Sequence, residues 1–171
     1  MLRKYFDTLL SFLLLGGGLF ARQPLNRYID ANRIYLDSRH GLGGELDWRM
    51  MKAGDVDEQD EKISRTSYDD SRWLPASGPG TVLNSLVHNG VYPEPYYGIN
   101  NKLEKGIIPD ISKVGRDFYT YWFRTDFDIP ANYKDKVIWL QVDGINYRAE
   151  VWVNGNLLST INGMFKQDFI N

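Results

Sequence analysis

Asn154-Gly155 stands between two short alternating runs, residues 147–153 and 156–161, and this dictates a two-residue β-hairpin. A type I′ turn needs positive φ at both central residues, which asparagine tolerates and glycine adopts freely. The neighbourhood repeats the pattern. Tyr121, Phe123, Phe127 and Ile129 alternate with Trp122, Arg124, Asp126 and Asp128, which predicts a strand. Residues 137–143 form another, Asn162-Gly163 turns again, and residues 164–170 begin a further strand. Upstream, Leu46, Trp48 and Met50 share one face of a half-buried strand, and residues 33–37 are a weaker strand candidate. Six strands and a candidate seventh, spaced by turns, predict an all-β antiparallel sandwich or barrel.

Two segments depart from that pattern. Val82, Leu83, Leu86 and Val87 are spaced as on a helix, with Thr81 as N-cap and Gly90 past the end. Residues 92–98 cannot be helix, because Pro93 and Pro95 fix an extended path. Residues 100–118 then read as a long polar loop with an apolar peg at Ile107-Ile108-Pro109. Trp73 and Trp122 are expected in the core, and His88 near the end of a surface helix.

Composition removes whole classes of function. The chain has no cysteine, so disulfide scaffolds, thiol nucleophiles and Cys-ligated metals are excluded. Its two histidines, His40 and His88, cannot make a His-rich metal site. Twenty basic against 22 acidic residues give a net charge of −2, which argues against nucleic acid as the main partner. Asp55, Asp57, Glu58, Asp60 and Glu61 crowd one stretch, but an EF-hand starting at Asp55 would have Asp60 where glycine is required and Thr66 where glutamate is. A solvated acidic loop is the better reading. Gly41 to Gly44 lacks the lysine and the strand-to-helix context of a phosphate loop. No cofactor and no metal are expected.

The N-terminus reads as transport chemistry. Arg3 and Lys4 precede the apolar run from Leu9 to Leu15, and Ala21 is a small residue at a cleavage-site position, as in a secretory leader. Residues 9–21 are too few to span a bilayer. A buried N-terminal helix is the alternative, opposed by three consecutive glycines at 16–18. The expected organisation is a leader over 1–21, a lead-in segment over 22–44, and a β-sandwich over 45–171, exported to the periplasm or outside a bacterial cell, with no membrane span once the leader is removed. Phe165, Phe169 and Ile170 are core-type residues near Asn171, so the sandwich is expected to be incomplete at its C-terminal end.

Several motifs occur in one order: Trp73-Leu74-Pro75-Ala76, Pro79-Gly80-Thr81-Val82, Tyr92-Pro93-Glu94-Pro95-Tyr96-Tyr97-Gly98-Ile99-Asn100, Tyr121-Trp122-Phe123-Arg124, Asp143-Gly144-Ile145-Asn146-Tyr147 and Glu150-Val151-Trp152-Val153-Asn154-Gly155. Together they resemble the N-terminal sugar-binding domain of glycoside hydrolase family 2, which includes β-galactosidases, β-mannosidases, β-glucuronidases and exo-β-glucosaminidases. The Pro-Tyr-Tyr-Gly loop is closer to the mannosidase and glucosaminidase branches. Glu94 stands where aspartate is common.

The resemblance implies a galactose-binding-like jelly roll at the front of an exported, retaining exo-glycosidase acting on β-linked sugars. The partners it implies are a carbohydrate substrate and, in the same polypeptide, immunoglobulin-like and (β/α)₈ barrel domains. The barrel supplies both catalytic glutamates, so no catalytic residue is expected in this chain. Where one loop borders the barrel mouth, Tyr96, Tyr97, Asn100, Asn101, Arg116 and Asp117 offer flat aromatics and polar forks for a sugar ring. The bland alternative has the tyrosines packed on the sandwich and the asparagines making turns. Arg124, Arg148, Asp143 and Glu150 are expected to be cross-strand ion pairs. A stand-alone carbohydrate-binding module and an interaction domain that borrows a strand are the other readings.

Overall fold

The computed structural model describes residues 33–36, 47–103, 105–164 and 166–171, and for Leu2–Asp7 the strand path alone. Among the described residues, eight strands make two sheets. The larger runs β3 (Leu74–Pro75), β2 (Arg49–Lys52), β4 (Tyr121–Phe127), β1 (Leu2–Asp7), β6 (Arg148–Val153) and β7 (Asn156–Asn162), and the smaller pairs β5 (Leu140–Val142) with β8 (Asp168–Ile170). Every pairing is antiparallel. The expected all-β antiparallel sandwich is therefore what the chain adopts.

The hairpin forms where Asn154-Gly155 dictates it, with φ of 51° and 89°, joining β6 to β7. It is also held from below. The Gly155 N–H donates to Ser64 Oγ at 2.6 Å, and a Cβ on Gly155 would meet the Arg65 guanidinium at 3.2 Å. Helix α2 (Val82–His88) is capped by Thr81, whose hydroxyl accepts from the Asn84 N–H at 2.9 Å. Gly90, at φ 70°, ends it.

Strand β4 departs from the expected alternation. Tyr121, Trp122, Phe123, Arg124 and Thr125 are all buried, so both faces of the sheet are covered here. On one face Met50, Tyr121 and Phe123 pack with Trp48, Val82, Leu86 and Tyr119. On the other, Trp122 meets Ile63 and Trp73, with Tyr68 and Trp152 against them. A third cluster, Val142, Ile145, Ala149, Val151, Ile161 and Ile170, joins the small sheet to β6 and β7.

The cross-strand ion pairs expected among Arg124, Arg148, Asp143 and Glu150 are not what the structure shows. Arg124, 2% exposed, forms an ion pair with Asp70 and reaches Asp126 at 3.3 Å, while its guanidinium lies 5.8 Å from the Tyr68 ring. Arg148 and Glu150 approach only to 4.0 Å along one strand, and Asp143 accepts from Gln141 at 2.7 Å. The four residues do not form one site.

Other expectations move. The acidic stretch is no open loop, because α1 (Asp60–Ile63) forms there to bury Ile63. Residues 33–36 are irregular, though Leu36 O accepts from Trp48 Nε1 at 3.0 Å. The strand expected over 137–143 shortens to β5, with Val137 and Trp139 exposed, because its partner β8 has only three residues to pair. Phe169 is 58% exposed and Ile170 buried, since alternate residues of β8 face opposite ways. Leu46 and Phe165 lie outside the described residues. Leu2–Asp7, within the stretch read as a leader, is an inner strand of the large sheet, and residues 8–32 lie outside the described residues. Among the described residues no helix is long and apolar enough to cross a membrane.

Breaking the Asp70–Arg124 pair leaves a buried cation short of an acceptor. Asp70→Asn is expected to lower unfolding free energy by about 2 kcal/mol in urea titration. Asp47→Asn, at an exposed pair with Arg49, is expected to cost under about 1 kcal/mol.

Candidate functional site

Residues 91–117 leave α2 and return to β4, and a network of hydrogen bonds gives them one shape. The Tyr97 N–H donates to Glu94 O at 3.2 Å, and Asn100 Nδ2 donates to the same carbonyl at 2.8 Å. Asn100 O accepts from the Ile108 N–H at 3.1 Å, and Lys102 O from the Gly106 N–H at 2.7 Å. Gly106 is required by contact: a Cβ there would lie 2.5 Å from Lys102 O and 2.6 Å from Asn100 O. Lys113 Nζ donates to Leu103 O at 3.0 Å, tying the tip to α3 (Ile111–Val114).

The segment is pinned to the sandwich at its base. Ile108 is buried, and Tyr119 Oη donates to Pro109 O at 2.5 Å. Burial pushes the Tyr119 hydroxyl up to about 12, with smaller contributions from Tyr92, Tyr121 and Asp110. The proton of that bond is therefore held firmly. Asp110 caps α3 by accepting from the Ser112 N–H at 3.0 Å and Ser112 Oγ at 2.8 Å, and these bonds hold its carboxyl below the usual range. That direction is opposite to what a general acid needs.

The six candidate residues fall into two groups. Tyr96 is 94% and Tyr97 77% exposed, so neither packs on the sandwich. Asn100 spends its amide on the turn that presents them, while Asn101 is exposed beside it. Arg116 and Asp117 are exposed at the other end of the segment, where a 3₁₀ turn (Asp117–Tyr119) leads into β4. Of the apolar peg, only Ile108 goes inside. Ile107 and Leu103 stay exposed with the tyrosines, as does Ile99. This wider apolar rim is not visible in the sequence, where isoleucine next to isoleucine signals burial for both.

What the segment offers is a rigid turn carrying two open phenol rings, an asparagine and nearby lysines. Such a surface can stack on a sugar ring and bond its hydroxyls. The other concavity is different in kind. A cavity of about 710 Å³ lies between the sheets, lined by Phe123, Phe127 and Val153 on one side and Leu140, Val142 and Ile170 on the other. These apolar walls belong to the sandwich interior, while Arg33, Ser77, Gln141, Asp143 and Asn156 also stand along its lining.

Residues 48–171 match the family model described as the glycosyl hydrolase 2 galactose-binding domain-like domain. The chain belongs to that family. It is 39% identical over 99 residues to a mannosylglycoprotein endo-beta-mannosidase of Lilium longiflorum, covering 58% of this chain and 10% of that one. To an exo-beta-D-glucosaminidase of Amycolatopsis orientalis it is 28% identical over 109 residues, covering 62% and 10%. The crystal structure of Amycolatopsis orientalis exo-chitosanase CsxA superposes with a TM-score of 0.57 at 26% identity, over 73% of this chain and 14% of that one. The chain thus spans about a tenth of the length of the glycosidases it matches.

The Tyr119 bond gives this glycosyl hydrolase 2 domain an alkaline signature. A hydroxyl raised in the fold above its unfolded value of about 10 contributes stability that is complete below that pH and lost as pH rises through about 12. Tyr119→Phe is expected to flatten the fall in unfolding free energy over that window while costing about 1 kcal/mol at neutral pH. Urea titrations from neutral to strongly alkaline pH check both.

Proposed function

We propose that this chain is the N-terminal, non-catalytic sugar-binding domain of an exported family 2 glycoside hydrolase that removes β-linked sugars from chain ends with retention. The braced segment 91–117 borders the pocket for the terminal sugar, with Tyr96 and Tyr97 as the apolar platform and Asn101, Arg116 and Asp117 bonding hydroxyls. The observation that carries this reading is the open, rigidly presented tyrosine pair in a domain of this family. The mannosidase and glucosaminidase relatives support a β-linked mannose or glucosamine unit as the sugar.

A retaining glycosidase needs two carboxyl groups about 5 Å apart, one nucleophile and one acid/base. In this proposal both come from a barrel elsewhere in the polypeptide, and this domain orients the substrate for them. Its contribution is affinity: stacking on Tyr96 and Tyr97 holds the ring equally in the ground and transition states, so its loss is read in KM. Export follows from the leader-like residues 1–21. Cleavage after Ala21 would take β1 out of the sheet, so the export reading requires another strand in that position.

The test is to read the genomic frame past the codon for Asn171. Continuation for several hundred residues with a glutamate pair is the expected result, and a stop in an intact locus overturns the reading. In that complete enzyme, Tyr96→Ala and Tyr97→Ala are each expected to raise KM about fivefold with little change in kcat. Their thermal melts should match the parent, because both rings are exposed. Unchanged KM for both variants would remove the platform role.

A further inference from the structure

The small sheet turns one face inward and leaves the other open. Leu140, Val142 and Ile170 pack with Ile145 and Val151, so Gln141 and Phe169, opposite each other in the register, face the other way. Phe169 is 58% exposed, and so is Trp139, one residue ahead of β5. Continuing the alternation from Gln141 places Trp139 diagonally across from Phe169, at a spacing of about 7–8 Å. All five tryptophans are described: Trp48, Trp73 and Trp122 are buried, Trp152 is half-buried, and Trp139 alone is open.

The groups beside these rings are polar and already tied together. Gln141 Nε2 donates to Asp143 Oδ1 at 2.7 Å, and Gln167 Nε2 reaches the same oxygen from the other strand at 3.5 Å. All three side chains are exposed, and each amide keeps a carbonyl oxygen and a second N–H for a ligand. Gln141 and Asp143 border the interior cavity too, whereas Trp139 and Phe169 do not.

This mixture selects the ligand. The core of a protein–protein contact is depleted of charge, whereas here the Asp143 carboxylate stands beside the rings. A nucleic acid needs cations, and Lys166, next to Gln167, lies 3.6 Å from the Asp168 carboxylate. A sugar chain needs flat rings for its C–H faces and fixed donors and acceptors for its hydroxyls, and this face supplies both. An extended β-linked chain also matches the flatness of a sheet.

We propose that the outward face of the β5–β8 sheet is a carbohydrate-binding site. Trp139 and Phe169 stack on sugar rings of one β-linked glycan chain, and Gln141, Asp143 and Gln167 bond its hydroxyls. The site stands on different elements from segment 91–117, and it does not depend on the role given to Tyr96 and Tyr97.

The test is tryptophan emission of the full chain, excited where tyrosine does not absorb. The probes are β-1,4-linked mannohexaose and the β-1,4-linked glucosamine hexamer. At least one is expected to move the emission saturably to shorter wavelength and to cut acrylamide quenching about twofold, because the open indole is Trp139. Phe169→Ala, read by emission, and Trp139→Ala, read by calorimetry, are each expected to weaken that binding about tenfold. Both variants should melt with the parent, since the rings removed are exposed. The double variant Tyr96→Ala, Tyr97→Ala should titrate like the parent. No saturable change with either sugar, or binding that survives both Phe169→Ala and Trp139→Ala, overturns the proposal.

Discussion

A guanidinium closed off from water in the middle of β4 sets the terms for the rest of the molecule. Arg124 cannot be left alone at 2% exposure, because an unanswered buried charge costs several kcal/mol. Asp70 and Asp126 answer it, and Tyr68 supplies an aromatic face. To bring Asp70 there, residues 64–73 must lie down across the sheet. Trp73 then packs on Trp122 and Ile63, with Tyr68 edge-on to Trp73 at 5.6 Å. The charge and the apolar cluster thus fix the same stretch of chain.

The opposite face of β4 carries the consequence for function. Tyr121 and Phe123 bury against α2, and the chain just before them, Phe118 and Tyr119, is held in the same cluster. Tyr119 in turn anchors Pro109, beside buried Ile108. The open tyrosines of segment 91–117 are therefore connected through a few bonds to the most buried strand of the sheet. Rigid presentation of exposed rings is what a binding surface needs, because ordering a loop on contact would consume part of the binding energy.

Local chemistry was legible in the sequence wherever one short stretch determines it. The Asn154-Gly155 hairpin, the Thr81 cap, the burial of Trp48 and Met50 together, and the core placement of Trp73 and Trp122 all follow from a few adjacent residues. What was hidden depends on partners far along the chain. Alternation in β4 suggested one wet face, yet Arg124 is covered by Asp70, some fifty positions earlier. Val137 and Trp139 look like strand residues but lie beyond the reach of the short β8. The short helices α1 and α3 have too few residues to show a period. In the candidate site, the type of residue was readable and the exposure was not. Tyr96 and Tyr97 could have packed inward, and the bonds of Asn100 and Gly106 that turn them outward link carbonyls whose approach no spacing rule predicts.

Segment 91–117 is thus a preorganised surface carried by a doubly buried strand. Amide hydrogen exchange on the full chain tests it most directly. The Gly106, Ile108 and Lys113 amides, each bonded within the segment, are expected to exchange at least about a hundredfold slower than in an unstructured peptide. Exchange of those amides at the unstructured rate, while β4 stays protected, would contradict it.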